Sequence, residues 1–220
     1  MSKSFAYRLR DVVHRYDHRV VVNVAKLDLS AAACHVLLGA NGAGKSTLLT
    51  ILALLEGPSE GRVELLGRNV ENHHGGSVSR RDVTLVHQKP VLFSTTVFAN
   101  VAFGLLARKM SRPEVKDRVH RAMKQVGLGG FEHRSGRQLS GGEVQRIAIA
   151  RALVLETPIL LLDEPTSFLV AGFVPTLVRL LRRRVEDGAT VIIATQDEEF
   201  ATRIADDTIL IDDGVVTENL

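Results

Sequence analysis

Cysteine is nearly absent. Cys34 is alone in 220 residues, so no disulfide can form within the chain, and a single thiol fits a reducing compartment. Its place beside an apolar run suits a small core residue. Long apolar runs are missing as well. None approaches the ~20 residues a membrane-crossing helix needs, and MSKSFAYRLR at the N-terminus holds no signal-peptide apolar core. The chain is expected to be soluble by itself, with any membrane association supplied by a partner. Neither sign of charge dominates: the net charge is +3 with acids and bases interleaved, which argues against a nucleic-acid partner. Arg182 to Arg184 read as the solvated face of a helix. There are no internal repeats or low-complexity segments. What remains is ordinary globular composition, 45% hydrophobic and 24% charged, long enough for one large α/β domain or two small ones.

Against that background one stretch is unusual. GANGAGKST, Gly39 to Thr47, follows the apolar run Val36 to Leu38 and opens into Leu48, Leu49, Ile51 and Leu52 at helical spacing. Strand, glycine loop and helix are the context in which G-x-x-x-x-G-K-[ST] binds phosphate. Glycines let successive N–H groups turn inward on a phosphate chain, and the following helix adds its positive end. The loop, with Gly39, Asn41, Gly42, Ala43, Gly44, Lys45, Ser46 and Thr47, is therefore expected to hold a nucleoside triphosphate. Lys45 would reach the β and γ phosphates, and the Ser46 hydroxyl would ligate Mg²⁺.

Alternating apolar residues predict strands over Phe5–Val13 and Val20–Leu29, with Tyr16 between them at a hairpin turn, where an edge or core role suits an aromatic. GRVELLG, 61–67, reads as a strand closed by a glycine turn. The polar stretch 71–82 reads as a surface loop. Its His73 and His74 could meet a metal, but adjacent side chains converge poorly on one ion and no third ligand is near, so a solvated loop is preferred. VTLVHQ, 83–88, predicts a strand ending in Gln88. Two helical patterns, Thr96–Met110 and Arg112–Val126, then follow without a strand between them. They predict a helical subdomain inserted in the α/β alternation at about 89–155.

LSGGEVQRIAIARALVLETP, 139–158, predicts a helix capped by Ser140, with Glu143 in its first turn and free N–H groups for an anion, as at the phosphate loop. Ile159 to Leu162 reads as a parallel strand buried on both faces. It delivers Asp163 and Glu164 at its C-terminal end, where such sheets bind ligands. Asp163 would hold Mg²⁺, in part through water, and Glu164 would polarise the attacking water as general base. A helix at Val174–Val185, a strand at Ala189–Thr195, a helix at Glu198–Ala205 and a strand at Thr208–Ile211 complete the alternation before a DDG turn.

With these pieces the chain resembles the ATP-binding cassette (ABC) ATPases over nearly its whole length. GANGAGKST is similar to that family's Walker A, VHQKP to its Q-loop, LSGGEVQ to its signature and ILLLDEPTS to its Walker B, in the family's order. The resemblance implies one α/β cassette over residues 1–220. Its core would be a doubly wound P-loop NTPase (RecA-like) fold with an antiparallel β subdomain and the inserted α-helical subdomain. It also implies that Tyr16 stacks on adenine, reversing the core role, and that Gln88 contacts Mg²⁺ and the lytic water. Two copies would pair head to tail, with Ser140, Gly141 and Gly142 of one closing on the ATP held by Lys45 of the other. Two positions depart from the family pattern: Gln196 stands where a histidine is usual, and Val170 where an aspartate is usual. A further difference is AAACHVLLG in place of a Gly-Glu turn, which touches only that turn.

The leading expectation is the ATPase subunit of a transporter, peripheral at the cytoplasmic face of the membrane and docked on an integral membrane permease. VHQKPVLFSTTVFANVAFGL is similar to import ATPases for oxyanions such as tungstate, molybdate or phosphate, and the short C-terminus argues against importers with an added regulatory domain. Gln196 and Val170 motivate an alternative, a degenerate regulatory module that binds ATP and hardly hydrolyses it. A soluble ABC ATPase of DNA repair or translation is disfavoured, since those usually bring tandem cassettes or long insertions.

Overall fold

Strand and helix boundaries follow the hydrophobic periodicities closely in the computed structural model, which describes residues 4–70 and 80–219. Most of the expected loop at 71–82, including His73 and His74, lies outside the described residues. In chain order the elements are β1 (Phe5–Tyr16), β2 (Arg19–Ser30), β3 (Cys34–Leu38), α1 (Lys45–Leu52), β4 (Glu60–Leu65), β5 (Arg68–Asn69), β6 (Val83–Val86), α2 (Val97–Ala107) and α3 (Arg112–Gln125). After them come α4 (Gly141–Leu153), β7 (Ile159–Asp163), α5 (Val174–Glu186), β8 (Thr190–Thr195), α6 (Glu198–Ile204), β9 (Asp207–Asp212) and β10 (Val215–Asn219).

The strands form one ten-stranded sheet in the order β5-β4-β1-β2-β10-β9-β3-β8-β7-β6. Its centre is parallel, with β3 between β8 and β9 and β7 beside β8. β1, β2, β4 and β5 pair antiparallel. The physical reason for the division is visible in the side chains. Every residue of β7 and β8 is buried, as a strand covered on both faces demands, whereas buried and half-exposed positions mix along β1 and β2. Cys34 is fully buried in β3, and burial pushes its thiol up to about 12.

Three boundaries differ from expectation. Tyr16 is the last residue of β1, and the turn is Asp17–His18. The strand at 83–88 stops at Val86, before Gln88. And the chain does not end at the DDG turn: Asp213 (φ 40°) and Gly214 (φ 81°) are both left-handed, and they turn β9 back into β10. That is the geometry a two-residue hairpin loop requires. β10 also meets β2 at Val215 and Asn23, so the strand missed in the sequence is the one that joins the antiparallel and parallel halves of the sheet.

The chain divides into two compact units. One comprises Met1–Leu85, Pro158–Glu164 and Arg182–Leu220, the other Val86–Thr157 and Pro165–Leu181. In the first, α1 packs on β7 and β8 through Leu48, Leu49, Ile51 and Leu52. In the second, α2, α3 and α4 pack on one another around Val101, Leu105, Val119, Met123 and Ile147. Asn100 is buried among them with its amide spent on the main chain, accepting from Phe93 N–H and donating to the Phe93 and Thr96 carbonyls.

Candidate nucleotide site

The loop after β3 turns through two left-handed glycines, Gly42 (φ 84°) and Gly44 (φ 98°). At Gly44 a Cβ would strike the Val21 carbonyl of β2, so the constraint there is steric as well as conformational. The β9–β10 turn supports the same place: Gly214 N–H donates to the Ala43 carbonyl at 2.9 Å, and its own carbonyl accepts from Asn23 N–H at 2.7 Å. Asn41 and Gly42 face solvent, while Ala43 is buried.

α1 begins at Lys45 with no side-chain cap on its N-terminus and no acidic residue in its first turn. A helix end left in that state favours an anion, since its first N–H groups and its positive dipole end both face one. Lys45 is 5% exposed and folds over the loop, its Nζ donating to the carbonyls of Gly39 (2.7 Å) and Ala40 (2.9 Å). Glu164 Oε1 lies 3.9 Å from the same Nζ.

Asp163 ends β7, Glu164 follows it, and both are 7% exposed. Glu164 has φ 42°, a left-handed conformation that costs a non-glycine residue about 1–2 kcal/mol. Its N–H is tied to the Ala194 carbonyl at 2.8 Å, and its Oε2 accepts from Thr195 Oγ1 at 3.1 Å. Burial raises the Glu164 carboxyl above the usual range, and the Asp163 charge adds to the rise. The Thr195 hydrogen bond, the Lys45 charge and the Gln196 N–H oppose it. A carboxylate so placed has the character of a base rather than of an inert surface acid.

The oxygen donors suit Mg²⁺. Among the described residues no cluster of His, Cys, Asp and Glu is suited to hold a metal alone. A hydroxyl and a carboxylate, from Ser46 at the start of α1 and Asp163 at the end of β7, match an ion that takes most of its ligands from water and phosphate. α1 packs on β7, so the two donors come from neighbouring elements.

Tyr16 is 47% exposed, which sets aside the core role its sequence position suggested. Its hydroxyl donates to Glu56 Oε2 at 2.7 Å, its ring meets the His14 ring edge-on at 4.9 Å, and the Thr47 hydroxyl of α1 interacts with it. The Glu56 bond lifts the Tyr16 phenol above its usual range. An open aromatic face therefore stands beside the phosphate-loop helix.

Gln196 is exposed just past β8 in the first unit, and the remaining expected residues lie in the helical unit. Gln88 is exposed beyond the end of β6, and Val170 is 71% exposed ahead of α5. Ser140 caps α4 in a full capping box. Its Oγ accepts from Glu143 N–H at 3.4 Å, while its N–H and hydroxyl donate to Glu143 Oε2 at 2.7 and 2.8 Å. α4 thus carries the serine cap and the first-turn acid that its sequence predicts, whereas α1 has neither. Gly141 and Gly142 follow the cap, Gly141 exposed and Gly142 half-buried.

Three contributors escaped the sequence reading. Gly214 was discoverable, because a DG pair between apolar residues signals a hairpin. Thr195 and Glu56 had no such signal, since a threonine ending a strand and a glutamate in the turn after a helix are unremarkable by composition.

The family model described as ABC transporter matches residues 22–167. The chain is similar to the spermidine/putrescine import ATP-binding protein PotA of Acetivibrio thermocellus, 36% identical over 99% of this chain and 62% of that protein. It is also similar to the Fe(3+) ions import ATP-binding protein FbpC of Brucella abortus, 41% identical over 83% and 51%. A third relative is the sulfate/thiosulfate import ATP-binding protein CysA of Pseudomonas putida, 39% identical over 96% and 65%. The chain thus spans about half to two thirds of the length of these relatives. None of the three is described as importing tungstate, molybdate or phosphate, so that expectation finds no support in them.

Among solved structures, cbiO1 from Clostridium perfringens, part of the ABC transporter complex cbiONQ, matches with TM-score 0.84 and 27% identity over 99% of this chain and 88% of that one. A dimeric ATP-binding cassette in a post-hydrolysis state, bound to ADP and Pi, matches with TM-score 0.86 and 29% identity over 97% of each chain.

Proposed function

Because the chain belongs to the ABC transporter family, we propose that it is the ATP-binding and ATP-hydrolysing subunit of a membrane transporter, powering solute import through a separate permease. The observation that carries this reading is local. An uncapped helix N-terminus bearing Lys45 faces a buried carboxylate, with Glu164 Oε1 3.9 Å from Lys45 Nζ.

In this reading the loop from Gly39 to Thr47 wraps the phosphates, Lys45 neutralises the β and γ oxygens, and Tyr16 stacks on adenine. Ser46 and Asp163, with Gln88, would hold Mg²⁺, which would supply further positive charge at the phosphate oxygens, and Gln88 would also contact the attacking water. Glu164 takes a proton from water attacking the γ-phosphorus in line with the departing ADP oxygen, and Gln196 donates to the γ-phosphate. Ser140, Gly141 and Gly142 of a second copy close the site, so the working unit is a head-to-tail homodimer with ATP in its interface. The dimer sits on the cytoplasmic face of the membrane against the permease subunits. The relatives' solutes range from polyamines to ferric ion and sulfate, so the solute is set by the permease rather than by this chain.

ATPase activity of the purified chain, alone and with a co-purified permease, tests the proposal. Hydrolysis abolished by Glu164→Gln is expected. ATP binding without hydrolysis in every assembly would replace the motor with a nucleotide-gated regulatory subunit.

A further inference from the structure

Thr195 ends β8 and is completely buried. Its hydroxyl has a single proton, and its two neighbours decide where that proton goes. The Asp197 N–H, 3.1 Å away, can only donate, so Oγ1 accepts from it. The Glu164 carboxylate, also 3.1 Å away, can only accept when ionised, so Oγ1 donates to Oε2. A β-branched side chain in a strand has little χ1 freedom, so the hydroxyl stays where the backbone aims it. The backbone itself is anchored to the phosphate loop: Leu38 and Thr195 pair across β3 and β8, and the Thr195 carbonyl accepts from Gly39 N–H at 3.4 Å. One residue therefore touches the first glycine of the loop through its main chain and the carboxylate of Glu164 through its side chain.

We propose that Thr195 is the positioning residue for the general base, its hydroxyl holding Glu164 Oε2 so that Oε1 is presented toward Lys45 and the γ-phosphate. This rests on the reading of Glu164 as general base. It also accounts for how a chain with glutamine at position 196 keeps its base oriented, because the contacts that Glu164 receives from this segment are the Thr195 hydroxyl and the Gln196 main-chain N–H. The identity of the 196 side chain enters neither.

The test is steady-state hydrolysis and equilibrium ATP binding by the full chain carrying Thr195→Val or Thr195→Ser. Valine keeps the shape and removes the hydroxyl; serine keeps the hydroxyl and removes a methyl. Misplacing a reacting group by an ångström costs up to about 100-fold, so kcat is expected to fall roughly 10- to 100-fold in Thr195→Val, with ATP affinity held within about twofold. Thr195→Ser is expected to lose only a few-fold in kcat. A residue that merely packed would give the reverse order, since serine leaves a cavity and valine does not. Turnover retained in Thr195→Val, or Thr195→Ser as slow as Thr195→Val, would overturn the proposal. Undiminished hydrolysis by Glu164→Gln would instead sink the reading of Glu164 itself. If turnover is too slow to measure, the Glu164 carboxylate in a crystal structure of Thr195→Val decides: displacement supports the role, and an unmoved carboxylate ends it.

Discussion

The Tyr16 hydroxyl is bonded to Glu56 Oε2 at 2.7 Å, and His14 Nε2 lies 3.5 Å from the same oxygen, so one carboxylate in the turn after α1 fixes the ring that β1 presents. His14 is itself fixed, because its Nδ1 faces the Gly57 carbonyl at 3.0 Å and must donate to it. Aromatic stacking on a base is worth ~1–3 kcal/mol by alanine substitution. Tyr16→Ala is therefore expected to weaken ATP binding about 10-fold, a factor that corresponds to ~1.4 kcal/mol. Glu56→Gln keeps the ring but loosens its anchor; such exposed pairs contribute ~0.2–1 kcal/mol, so a loss of no more than about fivefold is expected. Titration with a fluorescent ATP analogue measures both. Equal affinity for Tyr16→Ala and wild type would remove adenine stacking from the site.

The same region shows where sequence reading succeeds and where it stops. β7 and the loop after β3 were legible because each is fixed by its own residues. Ile159 to Leu162 can only be buried on both faces, and Gly42 and Gly44 adopt φ values that suit few other residues. Tyr16 was not legible from alternation, since a period of two assigns a face and says nothing of whether that face is covered. The environment of Glu164 was hidden for a different reason. Thr195 lies 31 residues away in sequence, and only the pairing of β7 with β8 brings the two together. The family resemblance supplied roles for Gln88 and Ser140, but it did not foretell that Ser140 has both its N–H and its hydroxyl committed to Glu143.

That commitment yields a pH-dependent prediction. The Ser140 N–H and hydroxyl hold the Glu143 carboxyl below its usual range. A depressed folded value means the ionised carboxylate stabilises the fold. The stabilisation is fully present above the unfolded value of about 4.3 and is lost as pH falls through the folded value. Removing a serine N-cap typically costs ~1 kcal/mol. Ser140→Ala is expected to lower the melting temperature by about 2–4 °C at pH 7 for a chain of this size. The difference from wild type should narrow below about pH 4, as Glu143 protonates and its share of the cap disappears. Thermal melts across pH 3–7 would show it, and a constant difference would mean the carboxylate takes no part in the cap.

Two glycines in the phosphate loop are expected to respond differently to the same substitution. Nothing stands within 4 Å of where a Gly42 Cβ would project, so Gly42→Ala meets only the left-handed backbone penalty, about 1–2 kcal/mol. At Gly44 the new methyl would collide with the Val21 carbonyl and press on Gly214, neither of which can move without disturbing β2 or the β9–β10 turn. Gly44→Ala is therefore expected to abolish ATP binding and lower the melting temperature well beyond Gly42→Ala, while Gly42→Ala remains folded with weakened binding. Matching melting curves for the two variants would show that the β9–β10 turn does not constrain the loop.

Gln196 provides the sharpest test of turnover. It lies exposed just past the end of β8, with its N–H directed to Glu164 and its side chain outside that contact. Loss of one preorganised transition-state hydrogen bond costs ~10²–10³ in rate, about 3–4 kcal/mol. Glutamine still carries an amide donor, so part of that stabilisation is retained, and Gln196→Ala should remove the rest. The expected order of kcat is Gln196→His above wild type by several-fold, and wild type above Gln196→Ala by 10-fold or more, with ATP affinity similar in all three because the proposed contact would form at the γ-phosphate during reaction. Equal kcat in wild type and Gln196→Ala would mean that the side chain contributes nothing and that Glu164, held by Thr195 and the 196 main chain, acts without a donor at this position.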